Sequence, residues 1–215
     1  MRNSGCRWCA TCRATARRAV AKAVAGATAV AATVAARVAI GRAAARNIRR
    51  IERKSQVTRC YIGLGSNLAD PAAQLRSALA HMEEIPQTQV LSCSGFYASA
   101  PIGPGEQPDY VNAVASVETS LAAEALLDAL QAIEHLHGRE RTLRWGARTL
   151  DLDILLFGDK TLGTARLTVP HPRMAERNFV LEPLAELAPD LCMPDGTPLQ
   201  TLLARCPPNR LHRLK

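Results

Sequence analysis

From residue 58 onward, the spacing of apolar residues alternates between the two-residue repeat of a strand and the 3.6-residue repeat of a helix. A short β-rich run predicts a first strand over residues 59–64. Asp70 and Pro71 then have the character of a helix start, because a capping oxygen precedes a proline at the first helical position. The predicted helix ends before Pro86, and its apolar face consists of Leu75, Ala78, Leu79 and Met82.

The pattern continues with two strands, a second helix and a fourth strand. Residues 90–97, 109–119 and 149–157 read as strands, and Ser120 is expected to cap a helix that ends at Gly138. This order predicts an α+β fold of the ferredoxin-like β-α-β-β-α-β plan, a sheet with helices packed on it. Residues 176–187 and 199–204 predict additional short C-terminal helices. We find no internal repeat and no second domain between residues 58 and 215.

Charge divides the chain at about the point where the periodic pattern begins. The 215 residues carry a net charge of +8, but residues 1–57 hold 13 of the 27 Lys and Arg residues and a single acid, Glu52. Residues 58–215 hold 14 basic and 18 acidic residues and are therefore mildly acidic. We predict an Ala/Arg-rich extension over 1–57 and one domain over 58–215. The domain itself gives no electrostatic reason to bind nucleic acid.

The extension, residues 1–57, is open to three interpretations. It is either disordered or weakly helical, and its longest uncharged run, residues 23–36, is too short to span a bilayer. It could be an organelle-targeting segment, a basic binding arm, or an upstream region read as protein, with Val57 as the true start. Cys6, Cys9 and Cys12 have the spacing of metal ligands, but a cluster needs a fourth thiolate. The cysteines of the domain read as buried apolar residues in a reducing compartment, so we expect a cytoplasmic protein.

Two carboxylates near the end of the predicted domain carry the clearest chemical signal. On a strand, Asp151 and Asp153 share one face about 6–7 Å apart, while Leu150, Leu152 and Ile154 enter the core. An Asp-x-Asp pair on a solvated face is the alternative interpretation. Here an apolar run follows directly, and two adjacent carboxylates on a buried strand repel each other unless a cation lies between them. The pattern therefore favours a magnesium site that could hold two ions and a polyphosphate.

A dense group of cations surrounds these carboxylates. Four arginines fall within ten residues, and guanidinium groups pair well with phosphate. Glycines at both ends of residues 138–146 are typical of a mobile loop that could close over a nucleotide, although a solubilising surface loop has the same composition. No phosphate-binding glycine-lysine motif occurs, so arginine and Mg²⁺ would have to bind the phosphates. The four arginines are Arg139, Arg141, Arg144 and Arg148.

The third predicted strand carries a candidate site for a flat heterocycle. Tyr110 and Asn112 point away from the face of Val111 and Ala113. An amide can pair with a donor–acceptor edge, and an aromatic ring can stack on its plane. A packed tyrosine beside a structural asparagine is an equally good interpretation of these two residues alone.

Taken in order, the motifs resemble the 6-hydroxymethyl-7,8-dihydropterin pyrophosphokinases of folate biosynthesis. The resemblance extends from Thr58 to about Leu203 and includes Gly65-Ser66-Asn67-Leu68, Gln107-Pro108-x-Tyr110-x-Asn112, Arg144-Trp145-Gly-x-Arg148-Thr-Leu-Asp151-Leu-Asp153 and Leu167-x-Val169-Pro170-His171-Pro172. It implies an ATP-dependent enzyme that transfers the β,γ-pyrophosphoryl group to the hydroxymethyl oxygen of the pterin and releases AMP.

The resemblance also implies roles for individual residues. Asp151 and Asp153 match ligands of two Mg²⁺ ions, and Arg139 and Arg148 match the catalytic arginines that neutralise the transferred phosphates. The positions matching the ATP site are Glu134, Arg139, Arg148, Ile154, Arg166, Thr168, His171 and Arg177. Those matching the pterin site are Ser99, Ala100, Ile102, Tyr110, Asn112, Trp145 and Phe179, with Tyr110 and Phe179 expected to sandwich the ring.

The resemblance implies small-molecule substrates, ATP and the dihydropterin. From charge and composition we expect no nucleic-acid partner for the domain and no membrane span, and we expect a monomer. A non-catalytic RNA-binding module is the rival from another class, because ferredoxin-like sheets often carry RNA. Such a module needs exposed aromatics on a basic sheet face, whereas this face carries two aspartates. A second rival is another phosphoryl or nucleotidyl transferase of similar fold.

Overall fold

The computed structural model describes residues 57–101, 107–139 and 148–215. In these ranges the chain forms a six-stranded antiparallel sheet, a two-stranded hairpin and four α-helices. The strands are β1 (Thr58–Ser66), β2 (Thr88–Cys93), β3 (Tyr97–Ser99), β4 (Tyr110–Thr119), β5 (Asp151–Phe157), β6 (Leu162–Gly163), β7 (Thr168–Val169) and β8 (Leu211–Arg213). The helices are α1 (Pro71–Glu83), α2 (Ala123–Leu136), α3 (Asn178–Leu187) and α4 (Leu199–Arg205), and a 3₁₀ turn spans Met174–Glu176.

The main sheet has the order β5-β1-β4-β3-β8, and β2 also pairs with β4. β1 lies between β4 and β5 and is antiparallel to both. The prediction of an α+β fold is therefore confirmed, and the sheet is antiparallel. β4 is the longest strand, and it pairs with β1 along one edge and with β2 and β3 along the other.

The sheet separates two groups of buried side chains. One group joins α1 and α2 to the sheet face that carries Leu64, Ala113 and Ile154. The other packs α3 and α4 against Val114 and Leu155. Burying apolar area in both layers is the main stabilising contribution to such a fold. The predicted alternation at the start of β5 is confirmed, since Leu152 and Ile154 are buried whereas Asp151 and Asp153 are only partly buried.

The two predicted helix starts have different outcomes. Asp70 caps α1 as predicted, because its carboxylate accepts a hydrogen bond from Ala73 N at 3.1 Å and Pro71 occupies the first turn. The predicted cap of α2 is wrong. Ala122 is the N-cap residue, without a side-chain hydrogen bond. The Ser120 hydroxyl instead donates to Gln87 Oε1 at 3.0 Å, because the end of β4 brings it beside the turn before β2.

Two other local predictions need correction, and three short strands were not predicted. The strand expected over 90–97 is divided into β2 and β3, and between them Ser94 turns inward to accept a hydrogen bond from Val114 N. The helix expected over 176–187 begins only at Asn178, after the 3₁₀ turn. The hairpin β6–β7 and the strand β8 were not predicted, because two- and three-residue strands leave no periodic signal.

Of the domain's cysteines, Cys60 is buried as expected, whereas Cys192 is exposed, so that prediction holds only in part. The interpretations of the extension, including Cys6, Cys9 and Cys12, lie outside the described residues. Over the described ranges, no helix combines the length and the hydropathy that crossing a bilayer requires.

Candidate active site

The floor of the candidate site is a glycine-containing stretch of β1. Gly65 pairs with Asn112 on β4 and with Asp151 on β5, and Gly63 pairs with Asp153. A Cβ atom at Gly65 would lie 3.4 Å from Asn112 Oδ1 and 3.9 Å from Asp151 Cβ. The missing side chain therefore leaves open space between an amide on one strand and a carboxylate two strands away. Gly63 and Gly65 of β1 therefore contribute only backbone to the cavity floor.

The main cavity lies above this floor and is partly open to solvent. It combines apolar, amide and charged groups in one concave surface, which is typical of a small-molecule site. Asn112 and Ser99 are both buried, and Asn112 Nδ2 donates to Ser99 Oγ at 2.9 Å. The lining residues from the sequence predictions are Ser99, Ala100, Tyr110, Asn112, Arg148, Asp151, Asp153, Arg177 and Phe179.

A second, more open cavity adjoins the first. It is lined by Arg148, Asp151, Asp153, His171, Pro172, Arg173 and Arg177. Four of these residues also line the main cavity: Arg148, Asp151, Asp153 and Arg177. The two spaces therefore meet at a pair of carboxylates flanked by two arginines. The cationic side of the second cavity suits an anionic ligand.

Asp151 is held between two arginines. Its Oδ1 atom lies 2.7 Å from Arg139 Nη1, and its Oδ2 atom lies 2.5 Å from Arg148 Nη1. Arg139 also pairs with Glu134, a buried residue whose Oε1 accepts the backbone N–H of Leu152 at 2.7 Å. Burial alone would lower the pKa of Arg148, but the Asp151 carboxylate outweighs it, so the pKa is raised and the guanidinium stays charged.

Asp153 is the less constrained carboxylate. Its side chain is 40% exposed, and its Oδ2 lies 3.8 Å from His171 Nε2. Partial desolvation, and second the charge of Asp151, raise the pKa of Asp153 to about 7. Burial, and second Arg177, lower the pKa of His171, so this imidazole is neutral at pH 7. An additional cation beside Asp153 would favour its ionised form.

Asn67 fixes the backbone at the start of the segment that leads to Asp151. Its Oδ1 accepts a hydrogen bond from Arg148 N at 2.7 Å, and its own N–H donates to Arg148 O at 3.1 Å. Its Nδ2 donates at 3.4 Å both to Gln107 Oε1 and to Pro108 O. Ser66 adds a hydrogen bond to Thr149 O at 2.6 Å. The end of β1 therefore joins the chain before β4 to the chain before β5.

The other predicted site residues are placed differently. Glu134 and Ile154 are buried and line neither cavity described above. Arg166 and Thr168 lie on or beside the β6–β7 hairpin, where Arg166 pairs with Asp128 of α2. Ile102 and Trp145 lie outside the described residues.

Sequence reasoning missed several residues of this site. It gave no structural role to the β1 glycines, to Asn67 or to Arg173, although Gly65 and Asn67 lie in a motif that it quoted. A signal was present, since two glycines and an asparagine at the end of a β-rich run indicate close approach and a polar turn. Their partners could not be read from the sequence, because Asp151 and Asn112 pair with Gly65 only in the folded sheet.

Comparisons with known proteins identify a family for this chain. The family model described as 7,8-dihydro-6-hydroxymethylpterin-pyrophosphokinase matches residues 61–189. The 2-amino-4-hydroxy-6-hydroxymethyldihydropteridine pyrophosphokinase of Pseudomonas aeruginosa is 55% identical over 158 residues, which cover 74% of this chain and 98% of that protein. The Haemophilus influenzae protein of the same name is 47% identical over 154 residues, covering 72% and 96%.

Solved structures agree at the level of the fold. The wild-type HPPK-DHPS protein of Plasmodium falciparum, crystallised with pterin and p-hydroxybenzoate, aligns with a TM-score of 0.56 at 14% identity. The alignment covers 72% of this chain but only 44% of that one, so this chain matches less than half of the Plasmodium protein. The extent of the family match and the high identity of the bacterial relatives lead to one assignment: the chain belongs to the 7,8-dihydro-6-hydroxymethylpterin-pyrophosphokinase family.

Proposed function

We propose that the two adjoining cavities are one active site, in which ATP and 6-hydroxymethyl-7,8-dihydropterin bind side by side. Family membership makes the chain an ATP-dependent diphosphotransferase of folate biosynthesis, with ATP as its co-substrate. The observation that carries the proposal is the shared boundary of the two cavities, formed by Arg148, Asp151, Asp153 and Arg177. Group transfer needs the donor phosphate and the acceptor alcohol in contact, and this boundary adjoins both spaces.

The main cavity is the proposed pterin subsite. Asn112 offers an amide to the heterocycle, and its hydrogen bond with Ser99 orients that amide. Tyr110 and Phe179 supply aromatic faces from β4 and from the first turn of α3. Ala100 completes the described part of this wall. Ile102 and Trp145 stay predictions for the same subsite.

The second cavity is the proposed polyphosphate subsite. Arg148 and Arg177 line it, and neutral His171 can donate or accept one hydrogen bond. Arg173, which sequence reasoning missed, adds a further cation. We infer that Arg166, Thr168 and Ile154 contact the nucleoside part, and that Glu134 acts through Arg139 and Leu152 N, since its carboxylate is already bound to both.

The two aspartates fit a magnesium site. Asp151 Oδ1 is buried and forms an ion pair with Arg139 Nη1 at 2.7 Å, but no described residue donates a well-aligned hydrogen bond to it. Among the described residues no three His, Cys, Asp or Glu side chains converge, but Mg²⁺ commonly uses one or two carboxylates together with substrate phosphates. We therefore propose that Asp151 and Asp153 hold two Mg²⁺ ions. When bound, Mg²⁺ neutralises and orients the polyphosphate.

The residues of the chain itself supply alignment and charge. Arg148 lines both cavities and contacts Asp151, whereas Arg139 contacts Asp151 without lining either cavity. We propose that Arg148, supported by Arg139 on the same carboxylate, stabilises the negative charge that develops on the transferred group and on the leaving AMP. The acceptor alcohol requires positioning more than a strong base, which the packed walls of the main cavity provide.

The proposed reaction is tested by AMP release from ATP and dihydropterin with Mg²⁺ present. Asp151→Ala and Asp153→Ala are expected to lose nearly all turnover, since each removes a proposed metal ligand. Asp190→Ala, a matched change at an exposed aspartate distant in sequence, is expected to keep it. Wild-type activity in Asp151→Ala or Asp153→Ala would contradict the metal assignment.

We further infer that residues 58–215 form the catalytic domain and that its fold is ferredoxin-like. The sheet order β5-β1-β4-β3, with α1 and α2 on one face, supports this, because β2 and β3 together occupy the place of one edge strand. The monomeric state and the cytoplasmic location stay predictions.

A further inference from the structure

The C-terminal strand lies beyond residues 61–189, the part of the chain that the family model matches. β8 extends the sheet beside β3, with Ser99 opposite Leu211 and Tyr97 opposite Arg213. β3 is also the strand that carries Ser99 to the main cavity. The end of the chain is therefore an edge strand directly behind one wall of the proposed pterin subsite.

The two residues that precede β8 contact three separate stretches of the pterin wall. Ala100 N donates to Arg210 O at 3.3 Å, and Asn209 Nδ2 donates to Ala100 O at 3.4 Å. Asn178 Nδ2 donates to Asn209 O at 2.8 Å. Arg210 Nη2 lies 2.5 Å from Asp109 Oδ1 and 2.6 Å from Asp109 Oδ2.

Each of these partners is a lining residue of the cavity or the direct neighbour of one. Ala100 lines the cavity itself, Asp109 precedes Tyr110, and Asn178 precedes Phe179. The last backbone pair of β3 with β4 joins Ser99 to Tyr110. Arg210 adds a connection one residue beyond that pair, because its carbonyl holds Ala100 and its guanidinium holds Asp109.

We propose that Arg210 is a positioning residue for the pterin acceptor, which it never touches. It sets the distance between the end of β3, which carries Ser99, and the start of β4, which carries Tyr110. That distance determines the width of the slot for the pterin ring. This inference rests on the proposed pterin subsite. The Arg210 side chain is 66% exposed and that of Asp109 is 42% exposed, so the pair contributes little to global stability. Its consequence is confined to local geometry.

Arg213 provides a matched control on the same strand. Its side chain is 60% exposed, and it forms an ion pair with Glu186 at 2.8 Å. This ion pair does not connect the end of β3 to the start of β4. Arg210→Ala and Arg213→Ala therefore remove the same side chain at similar exposure. Only Arg210→Ala should change KM for dihydropterin.

The experiment measures KM for dihydropterin, KM for ATP and Tm for the full chain and both variants. We expect Arg210→Ala to raise KM for dihydropterin about three- to fivefold, the effect of losing one exposed ion pair, with KM for ATP and Tm unchanged. Arg213→Ala should match the parent chain. Asp109→Ala should reproduce the effect, and the double variant should be no worse than either single one.

Three results would overturn the inference: an unchanged KM for dihydropterin in Arg210→Ala, an equal increase in Arg213→Ala, or a parallel increase in KM for ATP. The failure of the proposed function has a different signature, since the parent chain would then neither bind dihydropterin nor release AMP with it. Partial recovery in Arg210→Lys would support the inference, because an ammonium can replace the single nitrogen that contacts Asp109.

Discussion

Asn67→Ala tests whether the backbone at Arg148 must be fixed for catalysis. Asn67 is 2% exposed, and its side chain makes three hydrogen bonds, to Arg148 N, Gln107 Oε1 and Pro108 O. The 2.7 Å bond to Arg148 N is the shortest of the three, whereas the other two are 3.4 Å long. The substitution therefore leaves one part-buried backbone N–H without its side-chain acceptor and releases the chain from which the Arg148 guanidinium projects.

The stability loss follows from that single unpaired donor. Leaving a buried N–H unsatisfied costs about 1–3 kcal/mol, which for a domain of this size lowers Tm by about 2–4 °C per kcal/mol. The loss of activity should be more marked than the loss of stability, since Arg148 must align with Asp151 to within a fraction of an ångström. We expect kcat/KM to fall about 10- to 100-fold, equivalent to about 1.4–2.8 kcal/mol of transition-state stabilisation.

Ser94→Ala is the matched control for this prediction. Ser94 is 6% exposed, and its hydroxyl oxygen accepts the backbone N–H of Val114 at 3.0 Å. The loss of this hydroxyl also leaves a buried donor, Val114 N, without its side-chain acceptor, but neither Ser94 nor Val114 lines a cavity described above. Thermal unfolding and AMP release are measured on both variants. If both lose similar stability and Asn67→Ala keeps the kcat/KM of Ser94→Ala, the positional argument is refuted.

Three other predictions concern charge and protonation. Arg148→Ala should lower kcat by more than tenfold with little change in KM for dihydropterin, measured by AMP release, because Arg148 is proposed to act on the phosphate; an unchanged kcat removes its proposed role. Burial raises the pKa of the Cys60 thiol to about 12. At pH 8 a thiol reagent should therefore not modify Cys60 in the native protein, but it should modify Cys60 in the denatured protein. Burial, and second His81, lower the pKa of His137, whose Nε2 lies 3.2 Å from His81 Nδ1. The unfolded chain then binds more protons than the folded chain, so the stability that His137 contributes above about pH 6.5 should be lost as the pH decreases. In thermal unfolding, His137→Gln should flatten this dependence of Tm on pH. An unaltered pH dependence contradicts this assignment.

Much of the site could be predicted because the information is local. Strand alternation is a property of the backbone, so Asp151 and Asp153 had to share a face once 149–157 was recognised as a strand. The Asp70 cap depends on neighbours within one turn and was also predictable. The family motifs are contiguous segments, so the order of residues along the chain is enough to indicate the chemistry.

The tertiary structure decided which distant groups meet. Only the pairing of β1 with β4 and β5 places Gly65 between Asn112 and Asp151 and opens the cavity floor. Only the folded chain gives Arg166 an ion-pair partner in Asp128 and brings β8 behind the pterin wall. The physical reason is that local propensities act over a few residues, whereas strand register and long-range ion pairs are fixed by the burial of the whole core.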